Sequence, residues 1–380
     1  MNIDDFLHFR GVDLPSIIEN VEQTVGLAQD DVLLAVGSLV EGLGNHKSDL
    51  DLMLITSRND GALSHENEIP LVTGECLADV QVLRPAGLHE LCARFHAWNQ
   101  EAWDVNQAAK FTLPEHKLLH RLLHGRILSQ AQLGSVLPDL PSRRDLARLK
   151  LHVARHMSRT IQVDMVGHRA DEDWETLTFA AQALLGHAID ALTAGHEITN
   201  PTEKWRFRLL DQLPPDWEHR LGCRPAGLSV RGLYWRLHRA PERPGEQPCL
   251  EHAFRISAFA RAVFAWAESS LVFEEDREPE QVDLSHGSQG VEEPLPYLDL
   301  DVDFCLRGDY VYIAQLNEFH EPLEFPAHAL SLFLLCDGVT TKGEAEAYLR
   351  RNSDYDADHD GVEQWLAELF RAALSVPAMT

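Results

Sequence analysis

Apolar residues recur with two different periods along this chain, and the period changes from one segment to the next. Residues 14–29 place apolar side chains about 3.6 positions apart after Asp13, which suits the N-cap of a helix. Three short apolar runs typical of strands follow, at residues 32–37, 50–56 and 77–83. The polar residues 57–70 are predicted to form a loop. The first 112 residues are therefore expected to combine a small mixed sheet with helices.

Strand patterns nearly vanish between residues 115 and 272, where long segments have helical periodicity. Residues 273–299 are acidic, contain Gly and Pro and are poor in apolar side chains, which is typical of a linker. Strand patterns return in the last part of the chain, at residues 303–308, 309–316 and 320–325. Helical patterns follow them, at residues 326–336, 341–350 and 360–375.

These patterns predict an α+β protein with three domains and one linker. The predicted division is a domain with a small mixed sheet and helices at 1–112, a helical domain at 113–272, an acidic linker at 273–299 and a small winged-helix-like domain at 300–380.

Composition narrows the classes of function. The formal net charge is −27, from 60 acidic and 33 basic residues, and such a surface repels phosphate backbones, so general nucleic-acid binding is disfavoured. The six cysteines are scattered without a C-x-x-C pair, which favours a reducing cytoplasm over a disulfide framework or a zinc site. No apolar run has the length of a membrane span, so no membrane partner is expected.

The most informative stretch is the one that joins the first two predicted strands. Gly37 and Ser38 end the first strand, and Asp49 and Asp51 lie one residue apart at the start of the second. Side chains two positions apart on a strand point to the same face, so the two carboxylates are expected to lie together and repel each other. A divalent cation relieves that repulsion, and Mg²⁺ prefers such oxygen ligands. If the chain turns helical after Gly37, its backbone N–H groups favour a phosphate.

Two further candidates lie outside this stretch. Asp79, in the third predicted strand, is expected to complete a metal triad or to accept the proton of an attacking hydroxyl, with Glu75 as the alternative. Lys204 belongs to a basic cluster around Trp205 and is a candidate for phosphate binding; the alternative is a helix-capping turn over a buried tryptophan. The histidines at 116, 120 and 124 share one helix face and are predicted to be solvated or to face phosphates.

The segment "GSLVEGLGNHKSDLDL" resembles the signature of the DNA polymerase beta-type nucleotidyltransferase superfamily: Gly-Ser, a spacer, then Asp-x-Asp. The resemblance covers roughly residues 14–112, and the following helices are similar to those of small antibiotic-modifying and antitoxin-type members such as kanamycin nucleotidyltransferase. It implies that Asp49, Asp51 and Asp79 bind magnesium and a nucleoside triphosphate, and that the Gly-Ser turn holds the triphosphate. One departure is Glu41, where many small members have arginine.

Residues 301–349 resemble the peptide-binding winged-helix domains of the pyrroloquinoline-quinone peptide-chaperone type. The two resemblances together imply a magnesium-dependent enzyme that transfers an NMP, with AMP expected, from an NTP to a hydroxyl or amine of a peptide, protein or small-molecule acceptor, within peptide natural-product biosynthesis if the acceptor is a peptide. The alternatives are a non-catalytic nucleotide sensor that binds a peptide partner, and an antitoxin-type modifier of a toxin protein.

Overall fold

The computed structural model describes residues 1–58, 68–100, 108, 110–129, 137–214, 229–271, 294–307, 309–316, 321–327, 329–338, 340–352, 362–372 and 374–376. The protein is α+β, as predicted. Its described residues form two compact units: a first unit made of Met1–Leu149 and Thr199–Arg208, and a second unit made of Lys150–Ile198 and Leu209–Thr380. The predicted linker at 273–299 falls mostly outside the described residues.

The helices of the first unit begin and end at local signals. Helix α1 covers Ile3–Arg10, and α2 covers Leu14–Val25 with the Asp13 side chain accepting a hydrogen bond from the Ser16 backbone N–H at 2.9 Å. This confirms the predicted N-cap, while the helix ends four residues earlier than predicted because Gly26 leaves the helical conformation at φ 71°. Helices α3 (Pro85–Gln100) and α4 (Leu113–His124) follow the sheet strands.

The sheet of the first unit has the strand order β3-β4-β2-β1-β5, in which only β2 and β4 pair in parallel. Its strands are β1 Val32–Val36, β2 Leu50–Ile55, β3 Glu68–Thr73, β4 Cys76–Leu83 and β5 Arg126–Ile127. Strands β1, β2 and β4 confirm the three predicted strands. Strand β3 corrects the last three residues of the predicted loop at 57–70, because an edge strand tolerates exposed polar residues and a proline, here Pro70. Residues 59–67 of that predicted loop lie outside the described residues.

Alternating side chains give this sheet two apolar faces. One face packs with α1 and α2 through residues that include Leu33, Leu52 and Val80. The other face packs with α3 and α4, and its buried residues are Val32, Leu34, Val36, Met53, Ile55, Leu83, Leu88 and Leu122. The odd-numbered positions of β2 and β4 therefore belong to the α3–α4 face.

The remaining elements are helical up to Leu271 and mixed afterwards. Helix α5 (Arg143–Ala170) begins in the first unit and ends in the second, and a short helix α7 (Arg206–Leu209) crosses the same division. The other helices are α6 Trp174–Gly195, α8 Val230–His238, α9 Glu246–Leu271, α10 Ala329–Leu334, α11 Lys342–Asn352 and α12 Val362–Arg371. The other strands are β6 Tyr297–Leu298, β7 Val302–Arg307, β8 Tyr310–Gln315, β9 Leu323–Pro326 and β10 Ser375–Val376.

The second unit joins the long helices to the small sheets near the end of the chain. Helices α6 and α9 pack so closely that a Cβ on Gly195 would lie 2.2 Å from Cζ3 of Trp266. A single apolar cluster includes Ala265 of α9 together with Phe304 of β7 and Leu369 of α12. The predicted C-terminal strands and helices are confirmed as elements, and the three-domain division stays a prediction.

Buried charges reinforce that packing. The Arg155 guanidinium donates to the Asp303 carboxylate, which also accepts from Arg159 Nε at 2.7 Å. Arg261 donates from Nε to the backbone oxygen of Val302 at 3.1 Å. Arg155, Arg261 and Asp303 are all less than a tenth exposed, so each charge depends on its partners.

No helix among the described residues has both the length and the apolar character needed to cross a membrane.

Candidate functional site

Two aspartates lie side by side on the sheet of the first unit. Strands β2 and β4 run parallel with Asp51 in register with Asp79. Paired strands are about 4.8 Å apart, and residues in register point to the same face, here the face that α3 and α4 cover. On the other side of β2, Asp51 is in register with Val36, the last residue of β1. Asp51 and Asp79, called the aspartate pair below, therefore lie beside the point where β1 enters the next turn.

That turn approaches the aspartate pair closely. Gly37 has φ 78°, and a Cβ at this position would lie 2.2 Å from Oδ2 of Asp51. Only glycine meets both conditions, because it tolerates a positive φ and has no side chain to displace the carboxylate. The chain then forms successive turns, with the backbone N–H groups of Val40 and Leu43 donating to the oxygens of Gly37 and Ser38 at 3.1 and 2.8 Å. A continuous helix does not follow Gly37, so any phosphate contact here rests on the turn itself.

The electrostatics of the aspartate pair reflect crowding of like charges. Burial raises the pKa of Asp51, and the charges of Asp79 and Asp49 raise it further, against the opposing effect of Arg121 and Lys204. Burial also raises the pKa of Asp79, followed by the charges of Asp49 and Glu68. Asp49 itself is exposed and precedes β2. All three predicted aspartates therefore belong to one electrostatic cluster.

The alternative third carboxylate, Glu75, lies in the hairpin that joins β3 and β4. It is exposed, whereas Asp79 is half-buried and in register with Asp51. The geometry therefore favours Asp79 as the partner of Asp51.

Two cations balance part of this negative charge. Arg121 of α4 has its Nη2 atom 3.6 Å from Oδ1 of Asp51. Lys204 is exposed and contributes a favourable charge at Asp51, while its Nζ lies 4.9 Å from the ring centre of Trp205. The sequence-predicted Lys204 is thus brought to the site. Arg121 was missed, because nothing in the periodicity of α4 shows which of its polar residues meets the sheet.

Glu41, which stands where many small members of the resembling superfamily have arginine, has partners of its own. One Glu41 oxygen accepts from Asn200 Nδ2 at 2.9 Å and lies 3.0 Å from His120 Nε2. Burial alone would raise the pKa of Glu41, but the His120 and Asn200 contacts outweigh it and hold this pKa below its ordinary value. Thr199 Oγ1 lies 2.8 Å from His120 Nδ1 and 2.9 Å from His124 Nε2. These contacts fix α4 to the turn that follows Gly37.

The predicted histidine stripe is corrected by the same contacts. His116 and His120 are 3% and 4% exposed, so these two side chains are buried rather than solvated. Burial, together with the nearby charges of His120 and Arg143, lowers the pKa of His124 to about 4. Two of these histidines meet polar partners inside the unit: His120 lies against Glu41 and Thr199, and His124 lies against Thr199.

The donor chemistry of the aspartate pair fits magnesium. Within the described ranges, no group of three or more His, Cys, Asp or Glu side chains is gathered closely enough to hold a metal ion. Mg²⁺ in nucleotide sites is usually held by one or two carboxylates together with substrate phosphates, so two adjacent carboxylates suffice. The mutual repulsion of Asp51 and Asp79 is the feature that a bound cation would relieve.

Comparison with known proteins adds no family assignment. No protein-family model and no curated protein matches this sequence. The resemblance to the nucleotidyltransferase superfamily therefore remains a prediction that rests on the motif and on the geometry described above.

Proposed function

We propose that this protein transfers a nucleoside monophosphate, with AMP as the expected group, from a nucleoside triphosphate to a hydroxyl or amine of a peptide, protein or small-molecule acceptor. The observation that carries the proposal is the aspartate pair against Gly37, with the cations Arg121 and Lys204 near Asp51. This combination offers carboxylates for a metal and positive charge for a polyphosphate in one place.

The residues of the candidate site have three proposed tasks: binding magnesium, binding the triphosphate and stabilising the leaving pyrophosphate. Asp49 and Asp51 are the oxygen ligands proposed for magnesium, and Asp79 would either complete that ligand set or act as the base described below. Magnesium, when bound, would neutralise charge on the phosphate oxygens. Gly37 and Ser38 directly follow β1, where Gly37 lies against Asp51, and the backbone of Gly37 and the hydroxyl of Ser38 are the groups proposed to bind the triphosphate. Guanidinium and ammonium groups stabilise the negative charge that grows on the leaving pyrophosphate.

The transfer itself is an exchange of one P–O bond for another bond to phosphorus. The acceptor oxygen or nitrogen attacks the α-phosphorus, the bond from that phosphorus to the bridging oxygen breaks, and pyrophosphate leaves. The acceptor loses a proton, and Asp79 is the group proposed to take it when Asp49 and Asp51 alone hold the metal. Burial and neighbouring carboxylates raise the pKa of Asp79, which makes it a stronger base than a solvated aspartate.

The contacts of Glu41 weaken the objection that this residue raises to the catalytic proposal. Its carboxylate is engaged by His120 and Asn200, so its charge is compensated by contacts within the first unit. The rival function, a nucleotide sensor without catalysis, has its main support in Glu41 itself, which stands where many small members of the resembling superfamily have arginine. It is kept as an outcome of the experiment below.

The test is transfer of label from α-³²P-ATP with Mg²⁺ to a panel of acceptors. Asp51→Asn and Asp79→Asn are expected to lower transfer by at least about 10²-fold, as loss of a group that stabilises transition-state charge does. The matched control is Asp4→Asn, which removes an exposed carboxylate of the same unit that pairs with Arg126. Equal transfer by Asp51→Asn and the wild type would contradict the proposal. ATP-dependent thermal stabilisation without Mg²⁺ dependence or turnover would favour the sensor instead.

The acceptor class is tested with the full chain. Removing residues 295–380 would expose the apolar cluster that these residues share with Ala265 of α9, so a truncated protein is not a clean reagent. Peptides, a test protein and cationic small molecules such as aminoglycosides are therefore compared as acceptors for the intact protein. Label on peptides alone supports a peptide-modifying role, and label on aminoglycosides alone supports an antibiotic-modifying one.

A further inference from the structure

Arg121 holds a position beside Asp51 that a divalent cation would also need. The Nη2–Oδ1 distance of 3.6 Å is longer than a hydrogen bond, and the two side chains are 31% and 35% exposed. The contact is therefore a loose ion pair at the edge of solvent, of the kind that changes an equilibrium by about fivefold at most.

We propose that Arg121 is an exchangeable counter-ion: it neutralises Asp51 until a divalent cation binds there, and it then turns to the polyphosphate of the nucleotide. This inference rests on the proposed function, since it takes Asp51 as a metal ligand. It adds a role for Arg121 and an order of events. The guanidinium competes with the metal for Asp51 before the nucleotide binds, and it contacts the polyphosphate afterwards.

The backbone that carries Arg121 is held in place. Gly125, just after α4, packs closely: a Cβ there would lie 3.2 Å from Cγ1 of Val36 and 3.0 Å from the Arg121 backbone oxygen. Strand β5 then pairs with β1, with Arg126 in register with Ala35. The end of α4 is thereby fixed against the end of β1, and the preceding residue, His120, is buried against Glu41.

The side chain, in contrast, has the loose ion pair with Asp51 as its one polar contact among the described residues. A guanidinium on a three-carbon stem has many rotamers, and a fixed backbone lets it sweep a small region without any change of fold. Its flat array of donors matches phosphate oxygens two at a time, which a loose contact with one carboxylate oxygen does not use. Phosphate is therefore the better partner once a metal has taken Asp51.

The second cation does not compete in the same way. Lys204 acts on Asp51 through its charge, and its Nζ lies 4.9 Å from the ring centre of Trp205. Its ammonium is thus engaged with an aromatic face while Arg121 is the group in ion-pair range of Asp51. The exchange is assigned to Arg121 alone.

The experiment measures binding of Mn²⁺ alone, and of a non-hydrolysable ATP analogue, to the full chain by calorimetry. Arg121→Gln is expected to bind Mn²⁺ up to about fivefold more tightly without nucleotide, because the competing cation is gone. It should bind the analogue about tenfold or more weakly, as loss of a charged hydrogen-bond donor does. Arg121→Lys keeps the charge and should bind Mn²⁺ like the wild type.

The control is Arg126→Gln, which removes one positive charge just after the same helix, where Arg126 pairs with Asp4. It should change neither affinity. A purely structural role for Arg121 predicts that both affinities fall together in Arg121→Gln, and that result would overturn the exchange.

Asp51→Asn separates this inference from the proposed function. If Asp51→Asn loses Mn²⁺ binding while Arg121→Gln shows no tighter binding, the exchange is overturned and the metal site stands. If Asp51→Asn binds Mn²⁺ as well as the wild type, both are overturned, because Asp51 is then not a metal ligand.

Discussion

Gly37→Ala should disturb the site and the fold through two separable effects. The first is backbone strain, because alanine would have to adopt φ 78°. The second is a collision, because the added Cβ would lie 2.2 Å from Oδ2 and 3.0 Å from Cγ of Asp51. The carboxylate would have to leave the turn, and the register of β2 with β4 limits where it can go.

The two effects have different magnitudes. An L-residue in the left-handed region costs about 1–2 kcal/mol. Forcing extra atoms into a packed place costs about 1–3 kcal/mol more. Gly37→Ala is therefore expected to lower the free energy of unfolding by roughly 2–5 kcal/mol. Gly42→Ala is the matched control in the same turn region: its φ is 74°, but its Cβ would meet nothing within 4 Å. It should lose only about 1–2 kcal/mol.

The assay is urea unfolding followed by circular dichroism, with the midpoint and slope compared across variants. A double-mutant cycle with Asp51→Ala isolates the collision, since removing the carboxylate removes the Oδ2 and Cγ atoms that the new Cβ would strike. In the Asp51→Ala background, Gly37→Ala should cost no more than Gly42→Ala does in the wild type.

Equal losses for Gly37→Ala and Gly42→Ala in the wild-type background would refute this reasoning. They would mean that Asp51 does not lie against the turn, and the arrangement of the candidate site would be lost with it.

Three further measurements follow from other parts of the protein. Glu41→Gln should lower the free energy of unfolding by about 1.5–3 kcal/mol near pH 7. Contacts hold the pKa of Glu41 below its ordinary 4.5, so the difference between the variant and the wild type should shrink as the pH falls through that depressed pKa. A difference that does not change with pH would contradict this prediction. Asp303→Asn removes one of the two carboxylates that pair with the buried Arg155, Glu268 being the other, and should cost about 3–5 kcal/mol in urea unfolding. A loss below about 1 kcal/mol would argue against the importance of the Arg155–Asp303 pair. Burial raises the pKa of the Cys336 thiol to about 12, so peptide mapping after alkylation at pH 8 should find the exposed Cys305 labelled and Cys336 unlabelled until the protein unfolds.

Local features of the chain were readable without the structure. Asp13 caps α2, and the three apolar runs became β1, β2 and β4, because caps and alternation depend on residues within a few positions of each other. The edge strand β3 was missed for the opposite reason: its polar, proline-containing sequence forms a strand only because β4 offers a partner.

The sequence predicted which residues form the candidate site, but not how the fold brings them together. The motif identified Gly37 and the acids Asp49 and Asp51, and alternation put the two acids on one face. It did not show that Asp79 would align with Asp51, because the register of β2 and β4 is set by pairing across more than twenty intervening residues.

What the sequence alone determined is therefore the local conformation: where strands and helices form, and which residues of a strand share a face. What only the tertiary structure decided is which of those faces meet. The inward-facing His116 and His120 and the approach of Arg121 to Asp51 depend on how α4 docks on the sheet. That docking is set by close packing and by contacts such as His120–Glu41. These contacts join residues that are far apart in the chain, so the periodicity of the sequence does not reveal them.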